Sequence, residues 1–144
     1  MTTLSPYIVA IIVAWVAAQG SKYLVHAVKS QSLAGFRQLY LSGNMPSSHS
    51  ATTVALATVV GLSNGVDSAV FAVAALLAGI VMYDAVMVRR SSGEQGQAIT
   101  ALIKEQHSHV KIPRAAKGHE PLEVAVGALL GVFIGMITFL AIGQ

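Results

Sequence analysis

Two histidines in this chain stand at helix starts, with neighbours that suit them to chemistry on an anion. The first lies in Asn44-Met45-Pro46-Ser47-Ser48-His49-Ser50, directly before an apolar run that ends at Leu62. Pro46 has a fixed φ suited to a first helical position, and serines are good caps. The free N–H groups and positive dipole end of such a helix favour a bound anion, and His49 beside them can donate a proton to it. The second histidine lies in Lys117-Gly118-His119-Glu120-Pro121-Leu122-Glu123. His119 and Glu123, four apart at the opening of a helix, share one face. A carboxylate there can hold one imidazole N–H and leave the other nitrogen free to attack. The plainer alternative is an interfacial histidine beside a snorkelling glutamate.

Cations and carboxylates accompany both. Asp84 sits in or at the end of an apolar stretch, where an ionised carboxylate is costly and usually paired; Arg89 or Arg90 is the obvious partner. Paired arginines also grip phosphate oxygens bidentately, although a double arginine after a membrane span is often only an anchor. Glu94 and Gln95 have no anchoring role. Lys22, three residues beyond Gln19 on the same helical face, can reach a phosphate as a point charge or snorkel to the interface. His26, His107 and His109 read as surface or interfacial residues, and His107-x-His109 is a weak metal pattern. Two histidines, one with a carboxylate four residues on, plus several cations and a helix start, describe phosphoryl transfer. Ser47 and Ser48 would bind the phosphate there, with Lys22, Arg89, Arg90, Asp84, Glu94 and Gln95 around it.

The elements that must position these residues are apolar. Over 144 residues, 54% are hydrophobic and 10% charged. A soluble domain carries about a quarter charged residues, so this is a membrane composition in a length that suits one domain, 1–144. The absence of cysteine excludes disulfides and thiolate metal sites. Four apolar runs stand out: Leu4 to Ala18, continuing as helix through Val28; His49 to Leu62; Ala69 to Val88; and Leu122 to Ile142. Spanning the hydrocarbon takes about 20 residues, so the first, third and fourth are expected to span. The short second run is expected to be held inside the bundle. No basic region precedes the first run and no cleavage site follows it in a polar context, so it is expected to remain as a span. The expected fold is an all-α membrane bundle of about four transmembrane or buried helices. Short interfacial helices at Gln31 to Ser42 and Gln95 to Gln106 would accompany it.

All nine lysines and arginines fall at 22–37 or 89–117, and none lies in the N-terminus, the connection Ser63 to Ser68 or the C-terminus. By the positive-inside rule both long loops are expected in the cytoplasm, with the termini outside. Both polar clusters then meet at one membrane face. Gly127, Gly131 and Gly135, four apart, allow another helix to approach closely. Packing within the monomer explains this row better than a dedicated dimer interface, although a homodimer would thicken a wall only four helices strong.

Pro46-Ser47-Ser48-His49 resembles the Pro-Ser-Gly-His motif of the type 2 phosphatidic acid phosphatase superfamily, which includes the vanadium haloperoxidases. His119-x-x-x-Glu123 resembles the end of that superfamily's third motif, Ser-Arg-x5-His-x3-Asp. The likeness is strongest to its small, divergent bacterial and plant branch, with Met-Pro-Ser-Ser-His-Ser, Asp-x4-Arg-Arg-x2-Gly-Glu-Gln and Gly-His-x-Pro-x-Glu-Val. These fall at Met45 to Ser50, Asp84 to Gln95 and Gly118 to Val124, so the resemblance covers nearly the whole chain. It implies a metal-independent membrane phosphatase, with no cofactor, acting on a lipid phosphomonoester or pyrophosphate. His119 would form a phosphohistidine, Glu123 would orient it, His49 would protonate the leaving oxygen, and Ser48 and Lys22 would bind phosphate. The sequence departs from the superfamily at two places. Ile112-Pro113 replaces Ser-Arg before His119, and Lys29-Ser30 replaces the Arg-Pro of the first motif. Arg89 and Arg90 are the candidates to take over. The alternative reading is a protein that binds or transports a lipid phosphate without hydrolysing it. The expected setting is a bacterial plasma membrane, and no nucleic-acid partner is expected.

Overall fold

The first helix, α1 (Pro6–Ser30), buries Ala10, Ala14 and Ala18 along one stripe and turns Ile8, Ile12, Trp15 and Val16 outward. Small residues in and large ones out is the pattern of a helix in lipid. There the surroundings are as apolar as leucine, and close backbone approach drives packing instead. The computed structural model describes residues 4–30, 45–113 and 118–142. The segment expected as an interfacial helix at 31–42 lies outside them, as do Asn44, Arg114 and Lys117. The described residues are all-helical, and four helices carry the chain back and forth if the unbroken column from Ala69 to Glu105 is counted once. Three of the four are long and apolar enough to cross a membrane: α1, that column and the last helix.

The fourth, α2 (Ser48–Asn64), is the centre of the bundle. It packs against α1, α3 and α5, while α1 and α3 make no substantial contact with each other. Ala51, Ala55 and Val59 of α2 meet Ala10, Ala14 and Ala18 of α1 and Ile134 of α5 in one buried cluster. The short second run is thus an internal helix, as its length implies.

The last helix, α5 (Pro121–Ile142), lays its glycine row on α2. A methyl at Gly131 would come within 2.5 Å of the Ala51 carbonyl oxygen, and methyls at Gly127 and Gly135 would run into the Ser47 carbonyl and the Thr58 side chain. The row therefore serves contact within the monomer.

The column begins with α3 (Ala69–Tyr83), capped by Ser68, whose hydroxyl accepts from Phe71 N–H at 3.2 Å. It continues through a π-helical turn, Asp84–Val88, into α4 (Arg89–Glu105). A separate short helix at 95–106 is therefore corrected: the helix runs through Ser91-Ser92-Gly93 without a break. These are poor helix formers, but a helix already nucleated in the membrane needs only to propagate. Its 37 residues measure about 55 Å, well beyond the ~30 Å hydrocarbon layer. The α4 end accordingly emerges beyond the membrane, at the end of the bundle that holds both histidines.

Candidate active site

Ser47 is the N-cap of α2, so Pro46 stands before the cap rather than at the first helical position; the Met45–Pro46 peptide is cis. The Ser47 hydroxyl accepts from Ser50 N–H at 3.4 Å and from the Ser50 hydroxyl at 3.0 Å, and its own N–H donates to the Glu123 carbonyl at 3.0 Å. Fully buried, Ser47 locks the start of α2 to the first turn of α5. Ser48 and His49 then open the helix. Lys22, buried one turn beyond Ala18 on the alanine stripe of α1, donates through Nζ to the Ser48 hydroxyl at 3.3 Å. His49 is only partly covered.

The start of α5 is built around one carboxylate. Pro121 takes the first helical position, where its missing N–H costs nothing. Glu123 reaches back so that Oε2 accepts from Glu120 N–H at 3.1 Å, the reciprocal half of a capping box. The same Oε2 lies 2.8 Å from Nδ1 of His119. An ionised carboxylate only accepts, so this contact places the proton on Nδ1 and leaves the Nε2 lone pair available. His119 is 3% exposed, so its ring is fixed by packing as well as by Glu123.

The π turn holds the loop before α5. Arg89 N–H donates to the Asp84 carbonyl, five residues back instead of four. The Ala85 carbonyl, whose helical partner would have been Arg89 N–H, is thereby released, and it accepts from His119 N–H at 3.1 Å. Such single π turns recur at functional sites. Next to it, a methyl on Gly118 would lie 2.5 Å from Arg90 N, so only glycine lets the loop sit this close to the column. Neither feature announces itself in the sequence. The Asp-x4-Arg spacing, which pairs Asp84 with Arg89 across five residues, is the one trace.

The charged residues divide between this site and its flank. Asp84 pairs with Arg89 at 2.7 Å and Arg90 with Glu94 at 3.2 Å. Arg89, His119, Lys22 and Asp84 all act electrostatically on His49, and Glu123 acts on Lys22. Lys22, Ser48, His49, Asp84, Arg89, His119 and Glu123 are thus neighbours at one end of the bundle, drawn from every helix. His49, beyond the three spans, is held below the usual imidazole range. Partial burial is the main cause, followed by the electrostatic influence of Arg89, His119 and Lys22, with Asp84 opposing. A cleft of about 410 Å³ opens on the other side of His119, lined by Arg90, Gly93, Glu94, Gln97 and Glu120; Ser48 and His49 are not part of it. Gln95 turns away, hydrogen-bonded to Ser91 at 3.3 Å and beside Tyr83 and Met87. His107 and His109 are exposed beyond α4. Among the described residues no group of three or more His, Asp or Glu side chains converges as a metal site.

The sequence matches the model of a family described as the Divergent PAP2 family over residues 4–134. It is 40% identical over 111 residues to a Bacillus subtilis (strain 168) protein named uncharacterized membrane protein YuiD, a match covering 67% of this chain and 70% of that one. No solved structure matches. With the family match extending over nearly all of α1 to α5, and with three apolar helices of spanning length, the chain is a membrane protein of the Divergent PAP2 family.

Proposed function

We propose that this protein is a lipid-phosphate phosphatase that works through a phosphohistidine at the cytoplasmic face of the membrane. The observation that carries the reading is the buried His119, its Nδ1 held at 2.8 Å by Glu123, in the same cluster as His49 at the start of α2. Family membership and the polar end of an otherwise apolar bundle support it further.

In this mechanism the phosphate sits before the first turn of α2, facing its free N–H groups, Ser48, Lys22 and Arg89. The Nε2 lone pair of His119 attacks phosphorus, and the bond from phosphorus to the lipid oxygen breaks. His49 gives its proton to the departing oxygen. Glu123 stabilises the Nδ1–H of the now charged imidazole. Water then loses a proton to His49 and attacks phosphorus, the phosphorus–nitrogen bond breaks, and inorganic phosphate leaves with both histidines restored. The protein donors and cations supply the electrostatic stabilisation, a contribution that costs about 10²–10³ in rate per donor removed. The substrate is a phosphomonoester or pyrophosphate on a lipid, because the tail can stay among the spans while the phosphate meets the basic end.

A second reading, binding or transport of a lipid phosphate without hydrolysis, is favoured by one feature. Arg89 and Arg90 are each engaged by a carboxylate, Asp84 and Glu94, while Pro113 occupies the place of a superfamily arginine. Phosphate release separates the two. Detergent-purified protein is offered phosphatidic acid, phosphatidylglycerol phosphate and a polyprenyl pyrophosphate, beside His119→Ala and with excess chelator. Release that disappears in the variant and survives the chelator is expected. No release from any of them, with vanadate binding intact, would replace the phosphatase with the binder.

A further inference from the structure

His49 stands at the head of a continuous face of α2. Residues four, seven, eleven and fifteen positions on, Thr53, Leu56, Val60 and Asn64, fall on the same side of a helix. Thr53 keeps its hydroxyl on the backbone, donating to the His49 carbonyl at 2.9 Å, so the face below His49 is apolar down to Asn64. Among the described residues Thr53 and Leu56 are half-buried and Val60 is buried, with Asn64 exposed at the far end. The helices on either side, α1 and α3, make no substantial contact with each other, and α2 forms the floor between them. In its lower half this gap is a groove of about 420 Å³, floored by Leu56 and Val60 and walled by Val70, Val73, Ala74 and Leu77 of α3. It is closed at the far end by the Tyr7 hydroxyl of α1 donating to the Asn64 side-chain oxygen at 2.9 Å. From His49 to Asn64 the face runs about 22 Å.

The same two helices frame the top of the gap with charge: Lys22 from α1, and Asp84 with Arg89 where α3 passes through the π turn, all acting on His49. An anion-binding end and an apolar track are thus joined along one helix face between two membrane spans. We propose that the gap between α1 and α3 holds the apolar chain of the phosphorylated lipid whose head group lies at His49. The inference rests on the reading of the His49 end as a lipid-phosphate site. A helix from a second copy is a poorer occupant. A lipid phosphate matches both the charged end and the apolar walls, whereas a membrane helix matches only the walls. Water is no better, since the walls are apolar and belong to spans. The groove takes one chain, so substrates with a single long tail, or one tail of a two-tailed lipid, lie in it.

The test uses hexadecyl phosphate carrying a photoactivatable diazirine at the chain end, with purified full-length protein in lipid nanodiscs. Labelled residues are identified by mass spectrometry, and His119→Ala is run in parallel so that turnover is irrelevant to the readout. Label is expected on Tyr7, Val60, Val70 or Val73, reduced by vanadate, and weaker for hexadecanol bearing the same diazirine. Equal labelling by the alcohol, label spread over the outer faces of α1 and α5, or cross-links between two chains would each overturn the proposal. Ala74→Phe, which fills the groove, is expected to lower kcat/KM for hexadecyl phosphate at least about tenfold and to leave butyl phosphate unchanged. An equal effect on both esters would also overturn it. Absence of phosphate release from every substrate would remove the hydrolytic mechanism, yet the labelling pattern would still decide the groove.

Discussion

Glu123 carries two duties on one oxygen, and substitution separates them. It caps α5 through Glu120 N–H and orients His119 through Nδ1. Glu123→Ala removes both and is expected to cost about 1 kcal/mol of stability as a lost cap, with a large fall in turnover. Glu123→Gln keeps an oxygen for the cap but no charge to stabilise the imidazolium. Its thermal midpoint should stay near wild type while kcat falls by about 10²–10³. Equal losses of stability and turnover across the two variants would make Glu123 a cap and nothing more. His49 offers a titration test with a definite sign. Its protonation lies below the usual imidazole range, with Arg89 among the causes and Asp84 opposing. Arg89→Gln removes a positive charge and frees the Asp84 carboxylate, and both effects favour protonated His49. The NMR titration of that ring should therefore move to higher pH. The limb of kcat/KM that requires His49 as an acid should move with it; movement to lower pH would contradict the electrostatic arrangement described. At this scale much was legible in the sequence. Spacing alone put His119 and Glu123 on one face and paired Asp84 with an arginine, because neighbours along a helix need no knowledge of the fold. Pro46 was misplaced by two positions because three serines compete for the cap. The winner is Ser47, whose hydroxyl reaches Ser50 N–H.

Between elements, the decisive contact is made by a carbonyl that a regular helix would have consumed. The π turn frees Ala85, and Ala85 holds His119 N–H, with Gly118 pressed on the Arg90 backbone. Gly118→Ala places a methyl where only backbone could yield, so the loop must lift. A displacement of about 1 Å is enough to cost roughly 10²-fold in rate. The expected outcome is a lower kcat with a smaller change in KM, together with a shifted Nδ1–H resonance of His119; an unchanged resonance would refute the positioning role. The glycine row of α5 is a second contact at this scale. Gly131→Val would press against the Ala51 carbonyl and Val54, and overpacking of this kind costs about 1–3 kcal/mol, read as a lower unfolding midpoint in detergent. The row itself was readable, since small residues four apart have few other uses in a span. The π turn was not, because one extra residue per turn leaves hydrophobic periodicity almost unchanged over five residues. Nor was the unbroken column: Ser91-Ser92-Gly93 reads as a loop until the preceding span is known to supply the nucleus.

For the whole molecule, the segregation of charge sets the architecture. Four antiparallel passes bring every helix's polar end together, and the opposite end is tied by Tyr7 and Asn64. If the basic end faces the cytoplasm, a chain without cysteine allows a clean check. Ser108→Cys should resist a membrane-impermeant maleimide in intact cells, and Asp67→Cys should react. The reverse pattern would place the site outside the cell and change which lipids reach it. The fold class and the convergence of polar ends follow from composition and from where the basic residues fall. The gap between α1 and α3 does not, because it depends on which helices fail to touch. The central claim is that His119 carries the phosphoryl group, and the most direct measurement is to trap it. Protein mixed with radiolabelled lipid phosphate and quenched in alkali should retain label that acid removes, located on His119 and absent from His119→Ala. Lipid-phosphate turnover with no labelled protein at any time, and undiminished in His119→Ala, would contradict it.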